Sequence, residues 1–178
     1  MPTVATKLTV ADYTKSAPPT GGRWELRHGE LVPVTFPSGL HYKLQDRLVT
    51  LLRSSAGDGW FIGMEIAFRP APEHELWAAD VAAVASNRWS AAGEDWLSSS
   101  PELVIEVLSP SNTATEMLDR EQTCFRGGCR EFWVVDPSLR LVRVTRNDGT
   151  WLTCAQDEEI PLTLIGGEPL LVSALFAV

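Results

Sequence analysis

Residues 77–85, WAADVAAVA, and 101–109, PELVIEVLS, are two almost wholly apolar runs, the first interrupted by Asp80 and the second by Glu106. Runs of this length and apolarity read as strands covered on both faces, the kind found inside a helix-flanked sheet rather than at a surface. An ionised carboxylate in such a setting is costly unless it is paired, hydrogen-bonded or bound to a metal. If the two strands are neighbours, Asp80 and Glu106 converge at one end of the sheet. A hard divalent cation with oxygen ligands, magnesium or manganese, then relieves their repulsion. Such an ion positions a water, lowers its pKa and stabilises charge developing on a phosphodiester. The plainer alternative stands beside it: one or both acids pair with buried arginines or cap backbone amides.

Upstream, WFIGMEIAF (60–68) alternates with the two-residue period of a strand, and the proline-rich RPAPEHE (69–75) is a loop. Between residues 38 and 53, Leu40, Leu44, Leu48, Leu51 and Leu52 fall on one face of an amphipathic helix. His41 and Gln45 flank that stripe and are candidates for phosphate or water contacts, against the simpler role of a half-buried structural histidine. WELRHGELVPV (24–34) is a hairpin about His28–Gly29, closed by Pro33 and Pro37; its acids Glu25 and Glu30 flank the turn and are expected to be solvated.

Downstream, residues 115–127 form a helix with Met117, Leu118, Glu121, Cys124 and Phe125 on one face, and Glu116, Arg120 and Thr123 in the next stripe. Gly127–Gly128 stops it. Arg120 is placed either to reach the carboxylates or a phosphate, or to pair with Glu116 on the surface. EFWVVDP and LRLVRVT follow as strands, NDGT as a hairpin turn, WLTCA as its return strand, and PLLVSALF as an edge strand or docking segment. The expected class is α/β: a mixed central sheet flanked by helices, with additional N- and C-terminal strands. The 178 residues suit a single domain, 24–178, behind an N-terminal arm, 1–23, that holds Pro18–Pro19, Gly21–Gly22 and one short helix.

A formal net charge of −8 excludes a nonspecific grip on polyanions. A local basic cleft built from Arg120, Arg126, Arg130, Arg140, Arg143 and Arg146 is the exception to test. Cys124, Cys129 and Cys154 form no CxxC pair, so they read as buried reduced thiols rather than a zinc site or disulfide frame. No apolar run is long enough for a membrane span and the first residues lack a signal peptide's centre, which points to a cytoplasmic protein. There is no GxSxG elbow, glycine-rich phosphate loop or HExxH motif.

WELRHGELV, the helix beginning near His41, AADVAAV, PELVIEVLSPSN, DREQTCFRGGCREFW and FWVVDP occur in one order over residues 24–137. In that combination the chain resembles the Uma-two family of restriction-endonuclease-like proteins, a branch of the PD-(D/E)XK nuclease superfamily. The resemblance implies a restriction-endonuclease-like core in which Asp80 and Glu106 bind the metal, with the Val107 carbonyl a further ligand, and a homodimer acting on DNA. Two positions depart from the pattern. Ala79 replaces the proline before the first acid. The lysine two after Glu106 is Leu108, and the helix position where relatives often carry lysine is Arg120. The leading expectation is a Mg²⁺- or Mn²⁺-dependent endonuclease cleaving DNA through Asp80, Glu106 and Arg120, with His41 and Gln45 as auxiliary contacts. Its rivals are a catalytically inactive nuclease-like dimer that binds protein or nucleic acid, and a carboxylate-pair sugar hydrolase that works in EDTA.

Overall fold

The structure, a computed structural model, describes residues 7–15 and 22–178. The expected turn at Pro18–Pro19 and Gly21 lies outside the described residues. Helix α1 (Val10–Lys15) follows the start, and Val10 packs with Leu26 and Leu76. Next come β1 (Arg23–Arg27) and β2 (Glu30–Val34), paired antiparallel about His28 and Gly29. Both turn residues have positive φ, 52° and 79°, the requirement of a two-residue hairpin turn that matches strand twist. Pro33 sits inside β2 rather than ending it, tolerable because β2 is the edge strand of a two-stranded sheet.

Helix α2 (Gly39–Ser55) is capped by Ser38, whose hydroxyl accepts the His41 amide. Strands β3 (Trp60–Phe68) and β4 (Trp77–Ala85) precede helix α3 (Ser86–Ala92) and strand β5 (Leu103–Val107). Helix α4 (Ala114–Arg126) begins with a capping box between Thr113 and Glu116. Strands β6 (Glu131–Asp136), β7 (Leu141–Arg146) and β8 (Trp151–Cys154) complete a six-stranded sheet in which every strand lies beside its sequence neighbour. Only β5 and β6 run parallel, because α4 carries the chain back between them; the other pairs are antiparallel. The tail adds β9 (Glu159–Ile160), β10 (Leu170–Leu171) and α5 (Val172–Leu175).

Each sheet face has its own core. On one, Leu44, Leu48 and Leu52 of α2 meet Val81, Ala83, Ile105 and Trp133, and the tail closes the layer with Val172 and Leu175. On the other, Met117 and Cys124 of α4 meet Phe68, Trp77, Val104 and Phe132. Each fully buried side chain of this size stabilises by about 1.5–3 kcal/mol. The expected mixed sheet between helices is what forms, with the hairpin and the β9–β10 pair as the added strands.

Several local expectations change. Leu40 is 53% exposed, because the first turn of α2 projects past the sheet, and Leu118 is equally exposed because α4 rolls its Arg120 side inward instead. Helix α3 had no sequence signal; Trp89 fixes it by stacking on Phe61 with centroids 3.8 Å apart. Gly127 is required less by its φ than by space, since a Cβ there would lie 2.7 Å from the Pro70 carbonyl oxygen. The three cysteines are free and buried. Among the described residues, no helix is long and apolar enough to cross a membrane.

Candidate active site

Strands β4 and β5 pair through Val81↔Ile105, Ala82↔Val104 and Ala83↔Leu103, and that register sets Asp80 opposite Glu106 just beyond the last paired residues. There the ladder ends in an exchange of partners. The Leu108 amide donates to Val135 on the β6 side, while the Val107 amide turns toward β4 and donates to Asp80 Oδ2 at 2.7 Å. A side-chain carboxylate thus takes the place of a backbone acceptor, and the two strands part around it.

The pleat also changes phase here. In β3, Ile62 packs in the α2 layer but Ile66 and Phe68 pack in the α4 layer; in β4, Val81 and Ala83 lie in the α2 layer but Ala79 and Trp77 in the α4 layer. Side chains two apart should share a face. Both strands therefore slip by one at the same level, where the pairing skips Glu65 and Asp80. Glu65 absorbs the slip with φ of 56°, a left-handed conformation uncommon for a residue with a Cβ.

Asp80 meets the α2 side. Gln45 Nε2 donates to its Oδ1 at 2.9 Å, and His41 Nε2 lies 3.1 Å from the same oxygen. Gln45 Nε2 also donates to Glu65 Oε1 at 2.8 Å. The hydrogen bond to Asp80 raises the His41 pKa, with burial acting against it and the charges of Asp80 and Glu65 adding to it. Gln45 is fully buried, and its Oε1 has no hydrogen-bond partner.

Glu106 meets the α4 side, where Arg120 Nε lies 2.9 Å from Glu106 Oε1. The surface pairing of Arg120 with Glu116 does not form, since Glu116 is spent on its own helix cap. Arg120 instead donates to Glu25 Oε2 at 3.1 Å and to the Ala78 carbonyl, with its guanidinium 5.1 Å from the Trp77 ring centroid. Glu25 corrects the sequence reading: it is a buried strand residue, 6% exposed, held by Arg120, Arg27 and the Ala78 amide. Burial opposes its charge, but the two arginines and that amide outweigh it and keep the carboxyl below its ordinary value. Glu30 is exposed as expected. Glu106 goes the other way. Burial dominates, Asp80 and Glu25 add repulsion, and Arg120 only partly compensates, so its pKa is pushed up to about 8.

Asp80, Glu106, Val107, Arg120 and His41 line one cavity of about 1220 Å³ between the hairpin, the start of α2 and the loop after β5; Gln45 is fully buried and does not line it, so of the two expected substrate contacts only His41 faces the cavity. Its wall carries more acids than arginines, and Arg23, Arg27 and Arg120 are each already ion-paired. The predicted basic cleft does not form from the downstream arginines: Arg143 pairs with Glu121, Arg146 with Glu131, and Arg140 lies over the Phe176 ring. Among the described residues, no three His, Cys, Asp or Glu side chains are grouped to hold a metal. An ion here would draw on the two carboxylates, the Val107 carbonyl and water.

A family model described as "Putative restriction endonuclease", Uma2, matches residues 10–171, nearly the whole chain. The chain belongs to the Uma2 family. A solved structure with the same fold is described as a "putative nuclease belonging to DUF820" from Anabaena variabilis; it superposes with a TM-score of 0.80 over 96% of this chain and 98% of that one, at 20% identity. No curated protein matches. The Uma2 match spans the hairpin, both acid-bearing strands, α4 and the start of the tail, so every residue of the candidate site lies inside it.

Proposed function

We propose that this Uma2 protein is a metal-dependent nuclease that cleaves DNA phosphodiester bonds, with Asp80 and Glu106 holding Mg²⁺ or Mn²⁺. The observation that carries this reading is the placement of the two acids in register on neighbouring strands, at the point where those strands part and open into the cavity. The residues fit a cation. Glu106 Oε1 is buried beside Arg120 without an aligned hydrogen bond, and the excess of acids in the wall is relieved by positive charge. A bound ion supplies the activated water and the charge stabilisation that hydrolysis needs. His41 and Gln45 orient Asp80, and His41 also faces the cavity. Arg120 acts through charge, because its terminal nitrogens donate to Glu25 and the Ala78 carbonyl while its Nε is only ion-paired with Glu106. The family description and the DUF820 neighbour support a nuclease in general terms.

Nicking of supercoiled plasmid in Mg²⁺ or Mn²⁺ tests the assignment, with calorimetry of Mn²⁺ binding alongside. Asp80→Ala and Glu106→Ala are expected to lose both the nicking and the heat. Nicking that persists in Glu106→Ala, or that survives EDTA, overturns it. Two observations favour the catalytically inactive homodimer as the second reading, both through its inactivity: the chain has Leu108 in place of the lysine, and Arg120 is tied to two carboxylates. That reading expects a dimer that leaves plasmid intact under every metal condition.

A further inference from the structure

We propose that Glu65 is a positioning residue of the nuclease site, acting through Gln45 to hold the Asp80 carboxylate in place. This rests on the reading of Asp80 as a metal-holding group, but its geometry is independent of any ion.

Glu65 lies across from Asp80 in the β3–β4 register, at the one level where pairing is skipped. Its left-handed φ has a cause in the packing. Regular pleating would keep Ile62, Met64, Ile66 and Phe68 on one face, whereas the strand sends Ile66 and Phe68 to the other layer. The slip brings the Glu65 carboxylate to the Gln45 amide. Strain of this kind persists only where the surroundings over-determine it, and it gathers at functional sites.

A short relay results. Arg23 of the hairpin ion-pairs with Glu65; Glu65 takes one N–H of Gln45; the other N–H goes to Asp80 Oδ1; Asp80 Oδ2 takes the Val107 amide. The amide of Gln45 can turn over, and with its oxygen forward it would meet two carboxylates with no proton to offer. Glu65 removes that alternative, since a donor is the only group that satisfies both acids at once. Partners that orient a metal-binding carboxylate matter nearly as much as the ligand itself. Nothing in the sequence singled Glu65 out: within WFIGMEIAF it occupies an ordinary polar position of an alternating strand.

Two substitutions separate an acceptor from mere bulk. Glu65→Gln keeps an oxygen for the Gln45 N–H; Glu65→Ala does not, and both keep a Cβ at the strained φ. The first readout is hydrogen exchange of the Val107 amide in metal-free protein, because that amide is bonded to the carboxylate in question. Glu65→Ala is expected to speed its exchange by about tenfold or more, and Glu65→Gln to stay within about twofold of wild type. Gln45→Met, which removes the relay from the middle, reproduces the Glu65→Ala result and guards against a folding defect peculiar to position 65. The second readout is Mn²⁺ affinity by calorimetry, expected to fall about 10- to 100-fold in Glu65→Ala and to be rescued in Glu65→Gln. Unchanged Val107 exchange in Glu65→Ala overturns the proposal, and so does equal loss in both Glu65 variants, which would make charge rather than the hydrogen bond responsible. If wild type takes up no Mn²⁺, the nuclease reading fails by itself while Val107 exchange still decides the role of Glu65.

Discussion

Glu106 is enclosed with Asp80 and Glu25 for neighbours, and a group pushed up to about 8 keeps its proton at neutral pH. A divalent ion binds the ionised form, so uptake must expel that proton. Mn²⁺ affinity is expected to climb as pH rises toward about 8 and to level off above it, and calorimetry in buffers of different ionisation heat should find proton release near neutrality. The stability linkage has the opposite slope. Folded Glu106 holds a proton that the unfolded chain gives up above its model value of 4.5, so this group's contribution declines as pH moves from 4.5 to about 8, and Glu106→Gln flattens that decline in urea titrations. Arg120 is the second sensitive position. Arg120→Ala leaves buried Glu25 with Arg27 as its remaining cation and buried Glu106 with none, and a loss of about 3–5 kcal/mol is expected from chemical denaturation. Arg120→Lys recovers only part, since a single ammonium cannot span two carboxylates, a carbonyl and the Trp77 face. Asp80 and Glu106 were legible in the sequence because a charge inside an apolar run demands an explanation. Glu25 and Glu65 were not, because each sits in a locally alternating strand and is enclosed only by partners distant in the chain.

The β1–β2 hairpin forms its own two-stranded sheet and is joined to the segment before β4 by backbone bonds between Leu26 and Leu76 and from the Gly29 amide to His74, with side chains adding to that hold. His28, at its turn, has Nε2 2.7 Å from Asp119 of α4 and Nδ1 2.9 Å from Glu75 before β4, and the Asp119 hydrogen bond leads in raising its pKa, against burial. A histidine raised on folding adds stability that is complete below its unfolded value of 6.5 and is lost as pH passes through the higher folded value. The thermal midpoint should therefore fall faster above pH 6.5 in wild type than in His28→Gln, with the difference absent at higher pH where His28 is neutral in both states. An equal pH profile for the two proteins would refute the clamp. The same docking explains why α4 was misread. Helical periodicity set Leu118 inward and Arg120 at the margin, yet the hairpin supplies Glu25 as a buried partner for Arg120, and no pattern within α4 could announce it. The strands of the central sheet, in contrast, were readable throughout, since β4, β5 and β6 are long apolar runs and β7 and β8 flank the short NDGT turn.

At the scale of the whole chain, charge and shape point to different partners. A net charge of −8 and a cavity wall whose arginines are already paired leave little to attract a bare phosphate backbone. DNA association is thus expected to need a divalent ion: a gel shift in Ca²⁺ should vanish in EDTA. In the homodimer reading, Phe36, 77% exposed, and Leu40, both lining the cavity, are the apolar side chains offered to a second copy. Sedimentation of Phe36→Ser/Leu40→Ser should then show a monomer where wild type is a dimer, and an unchanged oligomeric state would move the interface elsewhere. The phase change shared by β3 and β4 also bears on how this chain can vary through descent. Removing one residue from either strand alone would turn everything beyond the break face-about, exchanging interior for exterior. Length changes near Glu65 and Asp80 are therefore admissible only as matched pairs, one in each strand, so lineages that retain the site should drift in side chain there while keeping the spacing frozen.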